Sequence, residues 1–170
     1  MITIASPPPF AQALLGVSVP RQGTPDAIWG ELTLAGLAGP EGWLGKAVAS
    51  SSLGATAQAR IVGGARAAAL VVDIRTPESS LDAAVAQVRA LFERLRQGAI
   101  GPADYERSAA QRDRWDVDAS LDPRRRLVDL WREPRPAKTN ALPTLEGWRA
   151  WAASALRDEK LVVVLAKPRH

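Results

Sequence analysis

At 170 residues, with 46% hydrophobic and 24% charged side chains, the chain fits one ordinary globular domain able to bury roughly 70% of its unfolded surface. No apolar run approaches the ~20 residues of a membrane span, and the absence of cysteine excludes disulfides, thiolate metal sites and cysteine nucleophiles. The single histidine is the terminal His170, which removes most zinc sites and most Ser-His catalysis.

Residues 1–10, MITIASPPPF, read as a proline-containing lead, with neither the basic start nor the apolar run of a secretory signal. Residues 11–168 read as a single lobe. AQALLGVSVP has strand character and stops at Pro20. Thr24 is placed to cap a helix with Pro25 in its first turn, and Ile28, Leu32 and Ala35 form one apolar stripe. A short helix restarts at Pro40, with Leu44, Ala47 and Val48 on one side.

VASSSLGATAQARIVGGARAAALVVDI predicts a hairpin turning at Gly63-Gly64 and ending at Ile74. Its side chains are mostly Ala, Ser and Gly, where a sheet that only had to fold would prefer bulk. Either something packs close to it or it lines a space. Leu81, Val85, Val88, Leu91, Phe92 and Leu95 then mark a long amphipathic helix stopped by Gly98. A more polar helix starts at Pro102, another at Asp122-Pro123, and RPAKTNALP connects to a last helix capped by Thr144. Leu161 to Leu165 are all apolar, which predicts a closing strand inside a sheet rather than at its edge.

This order argues an α+β two-layer sandwich, a mostly antiparallel sheet with helices covering one face and ferredoxin-like elements. No Gly-rich βα turn supports a doubly wound nucleotide fold. The tryptophans, Trp29, Trp43, Trp115, Trp131, Trp148 and Trp151, fall on helices and read mainly as packing. Asp73 interrupts an apolar strand on the face opposite Ile74, where solvation is the simpler reading than catalysis. The arginines between Arg112 and Arg135 alternate with Asp113, Asp116, Asp118, Asp122 and Asp129, as on a solvated helix, so nucleic acid is not the expected partner.

Taken in order, LGVSVPRQGTPDA, the Leu53-Gly54 step opening a strand, the TPESSLDAAV helix entry, the GAIGPADYERSAA joint and the Thr-capped helix before an apolar strand resemble one lobe of the pitrilysin-type zinc peptidases. That inverzincin group includes mitochondrial processing peptidase and insulin-degrading enzyme, and the resemblance spans about residues 11–168. It implies a metallopeptidase half-domain whose helices cover one sheet face while the other lines a closed peptide chamber. Only one lobe of such a pair carries the H-x-x-E-H zinc signature. This sequence has no internal histidine and so resembles the C-terminal-type, non-catalytic lobe, with no catalytic residue, no metal ligand and no cofactor of its own.

The resemblance implies zinc in a partner lobe, and as partners an H-x-x-E-H lobe or subunit, or a second copy of this chain, with an extended peptide between them. In the family the non-catalytic lobe commonly supplies an arginine and, seven residues on, a tyrosine. Aligned through Leu53-Gly54 those positions fall on Val48 and Ala55, so neither group is present. Lys46, the nearest cation, is two residues off. Lys46, Thr56, Gln58, Arg60 and Asp73 are the candidates for facing the chamber or a partner. A structural or assembly module that keeps the fold without handling peptide is the alternative. Source and compartment stay open, with a bacterial cytoplasm or periplasm compatible with the arginine and alanine richness.

Overall fold

Strict alternation along AQALLGVSV sends Ala11, Ala13, Leu15, Val17 and Val19 to one side, each at most 5% exposed, and Gln12, Leu14, Gly16 and Ser18 to the other. The computed structural model describes residues 2–6, 10–21, 24–38, 41–49, 53–63, 66–123 and 143–168. The strands are β1 (Ile2–Ser6), β2 (Ala11–Val19), β3 (Thr56–Gly63), β4 (Ala68–Thr76) and β5 (Val162–Pro168). The helices are α1 (Ala27–Leu37), α2 (Trp43–Ala49), α3 (Leu81–Arg96), α4 (Pro102–Leu121) and α5 (Leu145–Ala155).

The strands form one sheet in the order β1-β5-β2-β4-β3, antiparallel except that β1 runs parallel to β5. The lead therefore contributes an edge strand at Ile2–Ser6. β4 repeats the alternation of β2, burying Ala68, Leu70, Val72 and Ile74 on the same side. These residues join Leu32 and Leu37 of α1, Leu44 and Val48 of α2, the Leu81–Leu95 stripe of α3 and Trp148 of α5 in one core. The expected α+β sandwich is present, with helices on one sheet face.

The helix layer is tied together by tryptophans and one carboxylate. Trp148 is fully buried, its ring centroid 5.6 Å from that of Trp43 and 6.3 Å from that of Tyr105. Its indole N–H donates to Thr33 Oγ1 at 2.9 Å, and that hydroxyl donates to the Trp29 carbonyl at 2.8 Å, so no polar atom of the pair is left unmatched. Asp104, in the first turn of α4, accepts from the Gly101 N–H (3.0 Å), Trp43 Nε1 (3.2 Å) and Arg107 Nη2 (2.6 Å). Tyr105 donates to the Pro143 carbonyl, closing α4 onto the start of α5.

Local expectations hold where a chemical stop or cap dictates them. Thr144 Oγ1 accepts from the Gly147 N–H at 3.0 Å, Gly98 adopts φ 87° just after α3, and α4 begins at Pro102. Four others are corrected. α1 starts at Ala27 behind Asp26, and the Thr24 hydroxyl turns back to the Arg21 carbonyl instead of capping. α1 also buries more than a stripe, including Gly30, Thr33 and Gly36, because it lies between the sheet and Trp43. A Cβ on Gly36 would stand 2.5 Å from Trp43 Cζ3.

The hairpin is not closed by a two-residue turn: Gly63 pairs with Ala68, leaving residues 64–67 between the strands. β4 continues past Ile74 to Thr76, whose buried hydroxyl donates to the Leu53 carbonyl at 3.0 Å. β5 is interior to the sheet as expected. Val163 and Leu165 are each 6% exposed while Val162 is 60% exposed, because no helix among the described residues covers the second face. The proposed helix after Pro123, Trp131 and the RPAKTN connector lie outside the described residues, and Asp122 stands at the C-terminal cap of α4.

Candidate functional site: the open sheet face

Side chains on the uncovered face follow from register. Thr56, Arg75, Gln12 and Ala166 stand in one cross-strand row; Gln58, Asp73, Leu14 and Val164 in the next; Arg60, Val71, Gly16 and Val162 in the third. The β3–β4 side is polar and the β2–β5 side apolar, with Ala166, Gly16 and Ala69 keeping the surface low.

Four of the five candidates, Thr56, Gln58, Arg60 and Asp73, share this face. Lys46 does not; it lies on α2 in the helix layer, its Nζ 3.5 Å from Glu41 Oε2. Asp73 is not a solvated carboxylate. Its side chain is 12% exposed, Gln12 Nε2 donates to its Oδ1 at 2.8 Å, and Arg60 Nη1 lies 3.8 Å from its Oδ2. Gln12 and Arg60 come from the two flanking strands, partners that sequence neighbours could not disclose. Gln12 and Arg75 are the members of this face that the residue pattern did not single out. The period-two alternation through β2 and β4, read together with the strand order, was the signal that places them.

The small residues of the hairpin divide between two roles. Ala57 and Ala59 point toward the helices and, with Ala55, Leu37, Ala38, Leu44, Gly45 and Val48, line a groove of about 510 Å³ between β3 and α2. Ala69 and Val71 stand on the open face. The hairpin thus both lines a space and lowers a surface. Val48 and Ala55, on which the sequence resemblance would place an arginine and a tyrosine, border that groove, and Val48 is only 5% exposed. Neither carries a polar group.

Among the described residues no three His, Cys, Asp or Glu side chains converge to hold a metal, and no helix is long and apolar enough to cross a membrane. With no cysteine and one terminal histidine, the donor set of the sequence does not fit a zinc site in this chain.

No family sequence model matches the chain, and no curated protein matches it by sequence. Solved structures do match its fold. The inactive peptidase domain of a protein assigned as a zinc protease from Bordetella parapertussis superposes with a TM-score of 0.79 at 17% identity, covering 98% of this chain and 97% of that one. A peptidase M16 inactive domain from Pseudomonas fluorescens gives 0.74 at 17% identity over 99% of this chain and 43% of that one. A chain of complex III2 from Candida albicans gives 0.81 at 12% identity over 98% of this chain and 45% of that one. The chain thus spans less than half of two of these and nearly all of the third. Its fold is that of the inactive M16 lobe, in agreement with the resemblance read from the sequence.

Proposed function

We propose, taking the inactive-lobe fold as premise, that the chain forms one wall of a peptide chamber, its open sheet face turned toward an H-x-x-E-H lobe that holds the zinc. The observation that carries this reading is the asymmetry of the sheet. One face is sealed by helices, while the other leaves Leu14, Val162 and Val164 beside an ordered Gln12–Asp73–Arg60 cluster with no element among the described residues over it. An apolar strip of this kind is the surface a second lobe or an extended peptide would cover. The chain itself supplies shape and hydrogen-bonding groups, and the partner supplies metal, water activation and bond cleavage.

The purified chain, incubated with zinc and a mixed peptide substrate set, is expected to hydrolyse none of them. Addition of the H-x-x-E-H lobe that partners it is expected to bring cleavage, and Leu14→Lys in this chain to abolish it. Zinc-dependent cleavage by the chain alone, or cleavage by the pair that ignores Leu14→Lys, contradicts the reading.

One observation favours a second reading, an assembly module without peptide handling. The positions on which the resemblance places the family's arginine and tyrosine hold a buried Val48 and an Ala55, and the same fold occurs in a chain of complex III2. A complex with its partner that leaves no peptide-sized space over the open face would favour this second reading.

A further inference from the structure

We propose that the open face selects acidic side chains, seating one against Arg75; this rests on the chamber reading above. Three observations on the β3–β4 side carry it. First, Asp73 is already spoken for, with Oδ1 taken by Gln12 and Oδ2 faced by Arg60, and its side chain is only 12% exposed. Second, Arg75 lies two residues further along β4 on the same face, exposed, with no hydrogen bond or ion pair among the described residues. Third, its cross-strand neighbours are Thr56 and Gln12, neutral groups that cannot balance its charge.

Among the described residues the face therefore carries two guanidiniums and one engaged carboxylate. Arg75 stands two residues from Asp73 along β4, roughly 7 Å away, and Arg60 stands diagonal to Asp73 on β3, so the two guanidiniums flank Asp73 along a line that an extended chain can follow. A guanidinium offers a planar pair of N–H donors that matches a carboxylate, and the exposed Thr56 hydroxyl can add a further bond. A basic side chain laid on the same line would meet Arg75 with no free carboxylate to receive it. The chemical class recognised is an extended peptide bearing Asp or Glu side chains.

The test uses the whole chain and three capped, amidated decapeptides carrying one neutral dye: alternating Thr and Glu, Thr and Ser, and Thr and Lys. Capping removes the terminal carboxylate, so only side-chain acids are read. Fluorescence anisotropy at low ionic strength is expected to rank Glu about tenfold tighter than Ser, with Lys weakest. The spread should shrink as salt rises toward 0.5 M. Arg75→Glu is expected to invert the ranking, and Arg94→Glu, on the exposed side of α3, to leave it unchanged. Equal binding of all three peptides overturns acid selection and leaves the chamber reading standing. A ranking that survives Arg75→Glu also overturns the proposal, because the seat then lies elsewhere. Absence of binding by every peptide overturns both readings together.

Discussion

The two faces of the sheet are built on opposite principles. On the helix side, the large groups at the centre are enclosed and their polar atoms are engaged: Trp148 satisfies its indole through Thr33, and Asp104 gathers three donors. On the open side, no layer of the described residues lies above Leu14 and Val164, and an ordered polar cluster joins three strands through long or single contacts. The first face is shaped by what folding requires; the second, on the proposed reading, by what a partner or peptide contacts. Substitutions on the two faces should therefore differ in which property they change.

The largest expected effect is on the helix side. Trp148→Ala removes the ring packed between Trp43 and Tyr105 and leaves Thr33 without its donor, so urea denaturation should show a loss of about 3–5 kcal/mol. Gly36→Ala places a methyl against the Trp43 ring and should cost about 1–3 kcal/mol by the same measurement. Were either change neutral, the claim that the tryptophans lock this layer would fail.

Asp104 sharpens the comparison through pH. Burial pushes its carboxyl up, but the Gly101 N–H, the Trp43 indole and Arg107 together hold it below the ordinary aspartate value of 3.8. A carboxylate lowered by folding contributes stability that is present above the unfolded pKa and is lost as pH falls through the folded one. The wild type should therefore lose more stability than Asp104→Asn as pH is lowered from about 5 toward 2. Parallel acid-unfolding curves for the two proteins would remove Asp104 from this role. The smallest stability effect belongs to the open face: Leu14→Lys should change unfolding free energy by at most about 1 kcal/mol while abolishing cleavage by the assembled pair. A large loss of stability there would mean the face is needed for folding.

Much of the fold was legible because local chemistry marks it. The threonine cap at Thr144, Pro102, Gly98 and the Leu81–Leu95 period each act within a turn or two of chain. The misses involve distance. Thr24 is a good capping residue used instead in a turn, and Gly36 is small because of Trp43. The candidate face was readable as alternation, which put Thr56, Gln58, Arg60 and Asp73 together. Its wiring was not, because Asp73 finds Gln12 sixty-one residues away and only strand order reveals that β2 lies beside β4. Lys46 was drawn in by proximity along the chain, whereas α2 carries it into the helix layer.

The central claim, that the open face looks into a chamber shared with a zinc-bearing lobe, is tested most directly by site-specific photo-crosslinking. One variant carries the photoreactive group at position 14, on the open face, and the other at position 153, on the exposed side of α5. Each is mixed with the H-x-x-E-H lobe and a labelled peptide. The account predicts that both peptide and partner lobe crosslink from position 14 and neither from position 153. Crosslinking of the lobe from position 153 alone, with position 14 silent, would show that the pair meets through the helix layer and would contradict it.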